Sequence, residues 1–239
     1  MIARKFASLA AAVALLTSCK ESIPTGVQLR GNVGRLRFVN AIPDPTKVPV
    51  NVLVAGLPFA VNLAYAAFAP AAANPYFPVL EGDQPLAVRR TADTSVKVLD
   101  MTVTILSQAD YTVLAIGPAA TVTGLLLRDD NTLPATGQIK LRVVNASPST
   151  DSVDVYVTAP AASIALIQPT LGLLAFQRAS NYLELPAASY QVRFTTKRTK
   201  TVVRDITIAA LTAGAIRTVV LLDAAAGGTP LTSVVLTDR

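Results

Sequence analysis

Leu36-Arg37-Phe38-Val39-Asn40-Ala41-Ile42-Pro43 returns later in the chain as Leu141-Arg142-Val143-Val144-Asn145-Ala146-Ser147-Pro148. Arg142 follows Arg37, and Asn145 follows Asn40, by the same 105 positions. That offset also carries Val48, Val50 and Val52 onto Val153, Val155 and Val157, and Asp100-Met101-Thr102 onto Asp205-Ile206-Thr207. Near the ends of the two copies, Tyr111-Thr112-Val113 is answered by Arg217-Thr218-Val219, and Leu127-Arg128-Asp129 by Leu236-Thr237-Asp238. Matches kept in one order over such a length mark a duplication, two units of about 100 residues each.

The pattern inside each unit is β. Val48 to Val54 and Val153 to Val157 alternate with period two, as half-buried strands do. Val96 to Leu106 and Thr201 to Ile208 alternate in the same way. Tyr111 to Ile116 and Ile216 to Leu222 are near-continuous apolar runs, the mark of a central strand buried on both faces. Turn residues separate them at Glu81-Gly82-Asp83, Ser107 to Asp110, Leu211 to Gly214 and Ala226-Gly227-Gly228. About seven short strands per unit predict an all-β chain of two tandem β-sandwich domains, immunoglobulin-like or transthyretin-like. The expected boundaries are repeat 1 at 34–130, a linker at 131–136 and repeat 2 at 137–239. The linker is short, so the domains are expected to touch.

Ahead of the repeats, residues 1–18 read as a signal peptide. Arg4-Lys5 gives a basic start, Phe6 to Leu16 an apolar run too short to span a bilayer, and Leu16-Thr17-Ser18-Cys19 small residues ending on a cysteine. The last four resemble the lipobox of bacterial lipoproteins, in which the cysteine is acylated and begins the mature chain. Cys19 is thus the expected lipidation site. Lipid chains anchor by burying methylenes at ~0.8 kcal/mol each. Residues 19–33 form a tether, whose fourteen residues after Cys19 reach at most ~45 Å at about 3.3 Å each. Lys20, in place of an aspartate, favours the outer membrane as the location.

Composition removes whole classes of chemistry. The 239 residues include no histidine, no tryptophan and one cysteine. Disulfides and cysteine zinc sites are excluded, as are nucleophilic triads built on histidine. No metal and no cofactor are expected. Arg4 and Lys5 leave with the signal, so the formal charge of +6 falls by two. Much of the excess lies in Arg193, Lys197, Arg198, Lys200 and Arg204. With few aromatic residues beside it, this basic patch points to a solvated hairpin, not to nucleic acid.

The segments Leu36 to Ala41 with Pro43-Asp44, and Arg142 to Pro148 with Val153-Asp154-Val155-Tyr156-Val157, resemble the opening of a bacterial extracytoplasmic domain family of unknown function. The resemblance covers 34–239 and implies tandem sandwiches on secreted proteins or lipoproteins. It implies no catalytic residues. Unit one departs from unit two by Ile42 against Ser147 and Asn51 against Asp154.

Three groups of residues are candidates for contact with a ligand. Asn40 and Asp44 in one loop, and Asn145, Asp151 and Asp154 in the other, offer oxygens. Asn side chains before proline more often cap turns, and calcium needs a denser set of acids. Phe59, Tyr65, Phe68 and Phe176 lie in two stretches free of charge, 48–80 and 155–177, which would pack on the sandwich or form an apolar contact surface. The carboxylates fall mostly in turns or on strand faces expected to be exposed. The chain is therefore read as a membrane-anchored envelope lipoprotein, a non-catalytic binding or structural module that contacts protein or glycan. The competing reading is a carboxylate-dependent hydrolase acting on envelope polysaccharide.

Overall fold

The computed structural model describes residues 31–239 apart from 72, 73 and 119. Cys19 and the signal segment lie outside the described residues. The first half holds β1 (Val33–Ala41), β2 (Val50–Val54), β3 (Leu57–Leu63), β4 (Phe68–Ala69), β5 (Phe77–Leu80), β6 (Gly82–Arg90), β7 (Lys97–Ile105), β8 (Asp110–Ile116) and β9 (Thr123–Asp129). The second holds β10 (Gln138–Asn145), β11 (Ser152–Thr158), β12 (Leu171–Ala175), β13 (Arg178–Ala179), β14 (Leu183–Pro186), β15 (Tyr190–Thr196), β16 (Val202–Ile208), β17 (Ile216–Leu222) and β18 (Thr232–Thr237). Among the described residues there is no helix.

Each half pairs its strands in the same way. One sheet has the order β4-β1-β8-β9 with β5 also on β1, and the other has β3-β2-β6-β7. The second half repeats this as β13-β10-β17-β18 with β14 on β10, and β12-β11-β15-β16. β1 runs parallel to β8, and β10 to β17. Each half has nine strands instead of about seven. The charge-free stretch 57–80 leaves one sheet as β3 and joins the other as β4 and β5, and its counterpart does likewise as β12, β13 and β14.

Alternation along β1 explains the packing. Leu36 and Phe38 point into a core shared with Val52, Leu86, Val88 and Val103 of the facing sheet. In the second half, Ile139, Leu141 and Val143 meet Val153, Val155, Val192 and Phe194. These are sandwiches, two sheets burying one apolar face each. Gly34 lets β1 start hard against the 106–109 turn, where an added Cβ would lie 2.4 Å from the Leu106 carbonyl oxygen.

The other face of β1 is buried as well. Val39, Ala41, Leu114 and Ile116 pack on Val144, Ala146, Val220, Leu222 and Leu236 of the second half. The molecule is thus four sheets deep, with β8 and β17 covered on both faces as their near-continuous apolar runs require. Both halves run in the same sense. At one end the Tyr65 hydroxyl donates to the Asp223 carbonyl (2.7 Å), and at the other the Lys140 ammonium reaches Asp130 (2.7 Å). An approximate two-fold axis therefore lies along the strands. Residues 32 and 33, bonded to Glu81 and Gln108, sit at the Lys140 end, and the Asn-Ala-x-Pro loops sit at the opposite one.

Candidate functional site

Between the apolar residues of β1 and β10 stands one arginine each, and both are buried: Arg37 is 0% exposed and Arg142 3%. They exchange partners across the junction. Arg37 Nη2 lies 2.5 Å from Asp238 Oδ1, and Arg142 Nη2 lies 2.5 Å from Asp129 Oδ1. Arg37 also donates to the Thr237 carbonyl (2.9 Å), and Arg142 to that of Arg128 (3.3 Å). Thr112 donates to Asp129 (2.5 Å), and Thr218 to Asp238 (2.6 Å). The two hydroxyls accept from Arg37 and Arg142 in turn. Tyr76 lies under the Arg37 guanidinium and Tyr182 under that of Arg142, each with 4.7 Å from Cζ to the ring centroid. The tyrosine hydroxyls donate to Asp129 (2.8 Å) and Asp238 (3.3 Å).

The electrostatics follow from two cations and two anions sharing one dry space. Burial lowers the Arg37 pKa most strongly, but Asp238, Tyr76 and Asp129 outweigh it, and the net shift is upward. Arg142 is raised in the same way, against burial, by Asp129, Tyr182 and Asp238. Burial pushes the Asp238 carboxyl up, with Arg37 opposing. Burial, then the carboxylates, pushes the Tyr76 and Tyr182 phenols far above their ordinary value, so they serve as donors.

The axis places a cleft on each side of this network. One, of about 470 Å³, is lined by Arg128 and Asp130 of the first half and by Lys140, Asn181, Tyr182 and Glu184 of the second. Lys140 spends its ammonium on Asp130 (2.7 Å) and on the hydroxyl and carbonyl of Thr132. Lys140 and Thr132 hold the Asp130 carboxyl down to about 2. The other cleft, of about 420 Å³, is lined by Arg35, Pro75, Tyr76, Asn131, Thr237 and Arg239. Here Arg35 is paired bidentately with Asp110 at 2.6 Å, and the buried Asn131 Oδ1 has no hydrogen-bond partner among the described residues.

The residues expected to form loop sites are occupied within the chain. Asn40 donates to the carbonyls of Leu63 and Ala64 and accepts from the Ile42 amide. Asn145 donates to the Leu174 carbonyl and accepts from Ser147 and Thr150. Asp44 accepts from the amide and hydroxyl of Thr46, and Asp154 from the amides of Leu173 and Arg198. Asp151 is exposed and pairs with Lys197. Among the described residues no three acids gather where a metal ion could be held. Tyr65, Phe68 and Phe176 flank the apolar layer between the halves. Phe59 packs on the first core and edge-on to Phe77, 5.5 Å between centroids.

The basic residues lie together on the β15–β16 hairpin, where Lys197, Arg198 and Lys200 are exposed and the other two are not. Arg193 is 8% exposed, covered by the 159–170 loop and donating to the Ala162 carbonyl (2.6 Å). Lys200 bonds to Tyr156 and to the Ile167 carbonyl, and Arg204 to Ser233. Of the fourteen acids in the described residues eight are exposed, as expected, and six are not. Asp44, Asp110, Asp129, Asp154, Asp223 and Asp238 are buried, because each meets donors inside the fold. The network residues themselves, Arg37, Arg142, Asp129, Asp238, Tyr76 and Tyr182, were not candidates from sequence. Their signal was present: a charge in the middle of an apolar strand, kept in both copies.

None of the curated proteins matches this chain. Among solved structures, a leucine-rich repeat protein from Bacteroides thetaiotaomicron VPI-5482 aligns at 12% identity and a TM-score of 0.21, over 83% of this chain and 27% of that one. This chain therefore spans about a quarter of that protein. The family comparison is of another kind: its match covers residues 34–156, the whole first half, the linker and the start of the second as far as Tyr156. The chain belongs to the family described as Domain of unknown function (DUF4397).

Proposed function

We propose that this chain is an envelope lipoprotein, lipidated at Cys19 and held at the outer membrane, whose tandem repeats act as one non-catalytic binding or structural module. The observation that carries the reading is the junction itself. Two sandwiches joined by a buried apolar layer and reciprocal ion pairs make a rigid body, and the tether enters at one end of it. A rigid scaffold with preformed clefts loses little entropy on binding.

The experiment is fractionation of cells making the wild-type chain or Cys19→Ser after growth with an acyl-chain label. The wild type incorporates label and sediments with outer membranes. Cys19→Ser takes up none and is released. A wild-type chain that stays soluble and unlabelled overturns the reading.

One observation favours the hydrolase: Asp130 and Glu184 line the same cleft. Against it, Asp130 is held down at about 2 and so is no general acid, and both its oxygens are taken up by Thr132 and Lys140, so it is not free as nucleophile or base. On the binding reading the protein releases no reducing ends from envelope polysaccharide. Release that disappears in Glu184→Gln would establish the hydrolase instead.

A further inference from the structure

We infer that the cleft beside Lys140 is a saccharide-binding site, with Arg128, Asn181, Glu184 and the Tyr182 ring as its recognition groups. The inference rests on the reading of the chain as a binding module and supplies its ligand class. Three exposed polar side chains of this cleft take no part in holding the fold. Among the described residues, the side chains of Arg128, Asn181 and Glu184 make no hydrogen bond or ion pair, though all three line one cleft. The network around them is saturated: Arg142, Lys140 and Asp130 have their partners.

The duplication provides an internal control. Strand pairing sets Arg128 equivalent to Thr237, since Thr112 faces Leu127 as Thr218 faces Leu236. Glu184 faces Lys140 as Pro78 faces Arg35, so Glu184 is equivalent to Pro78. Asn181, just before Tyr182, stands where Pro75 stands before Tyr76. The second cleft has Tyr76 for Tyr182 and Arg35 for Lys140, but Thr237 for Arg128, Pro75 for Asn181 and Arg239 for Asp130, and Pro78 holds the strand position of Glu184. The fold therefore stands without Arg128, Asn181 and Glu184. The three polar groups are specific to one cleft.

Their chemistry suits a neutral ligand dense in hydroxyls. Each hydroxyl gives one donor and accepts through two lone pairs. Arg128 only donates, Glu184 only accepts, and the Asn181 amide does both. Each wall carries both signs, Arg128 with Asp130 on one and Lys140 with Glu184 on the other, which disfavours a ligand of strong net charge. The Tyr182 ring, held in place by Arg142, adds apolar surface to the cleft lining for the C–H groups of a sugar. The cleft volume of about 470 Å³ is in the range of small-molecule sites. Because Arg128 belongs to the first half and Glu184 to the second, neither half alone has the site.

The test is calorimetric titration of the full-length protein, in a detergent without a sugar headgroup, with cellobiose, maltose and N,N′-diacetylchitobiose. Saturable heat is expected with at least one disaccharide. Arg128→Thr and Glu184→Gln each weaken it about tenfold or more, as loss of a hydrogen bond to a charged group does. Thr237→Ala in the second cleft leaves it unchanged, and unaltered melting temperatures show that the variants fold. No heat with any of the three, or equal heat in both cleft variants, overturns the inference. A chain lipidated at Cys19 that binds no disaccharide fails here alone. One that binds but carries no lipid fails only in its assigned location.

Discussion

Arg142 occupies a position where an aliphatic side chain would fit the strand pattern, and its charge is tolerated there because each of its three nitrogens has an acceptor. Its guanidinium meets Thr218, the Arg128 carbonyl and Asp129, and lies on Tyr182. Removing one partner of a buried pair strands the other without water. Arg142→Met is therefore expected to destabilise the protein by about 3–5 kcal/mol in urea unfolding. Replacing all four charges of the network with apolar residues of similar volume costs much less, because no charge is then left unpaired. A value near zero for Arg142→Met would mean that Asp129 finds water at the junction.

At the scale of elements, the two halves differ most at one connection. β2 and β3 are joined by Ala55-Gly56, whereas β11 and β12 are joined by the twelve residues 159–170. That loop turns back over the outer face of its sheet. The Arg193 guanidinium holds it at Ala162, Lys200 holds it at Ile167, and Gln191 accepts from the Ala161 amide. Leu166 projects from it almost fully exposed, at 99%. Because these bonds latch the loop without building the core, Arg193→Ala is expected to speed amide exchange in 161–168 at least several-fold. β11 and β15 keep their protection, since their inward residues Val155, Val192 and Phe194 are untouched. Equal exchange in both proteins would show that Lys200 and Gln191 secure the loop without Arg193.

For the whole molecule, the junction makes stability depend on pH in a definite direction. Asp130 ends the first half and Lys140 opens the second, and the contact holds the Asp130 carboxyl at about 2, below its ordinary 3.8. A depressed carboxylate stabilises the folded state above 3.8, and the contribution is lost as pH falls through about 2. The wild-type melting temperature is thus expected to fall more steeply between these values than that of Asp130→Asn. Asp130 is half exposed, so the effect is modest. Parallel acid profiles would show that the Lys140 contact contributes nothing across the junction.

Much of this protein was legible before any coordinates. Period-two alternation at Val48 to Val54 and continuous apolar runs at Tyr111 to Ile116 follow from which faces a strand must bury, and local pattern records that directly. The duplication was legible because it is a property of sequence alone. The absence of histidine likewise limited the chemistry without reference to shape. What residues 34–239 do at a distance was not legible. Arg37 and Asp238 lie at opposite ends of the described chain, and their pairing exists only because two similar sheets meet about an axis. The same is true of Arg128 and Glu184, whose shared cleft neither repeat encodes. Local pattern determines which face of a strand is apolar. Which charges that burial brings together is decided only when the two halves pack.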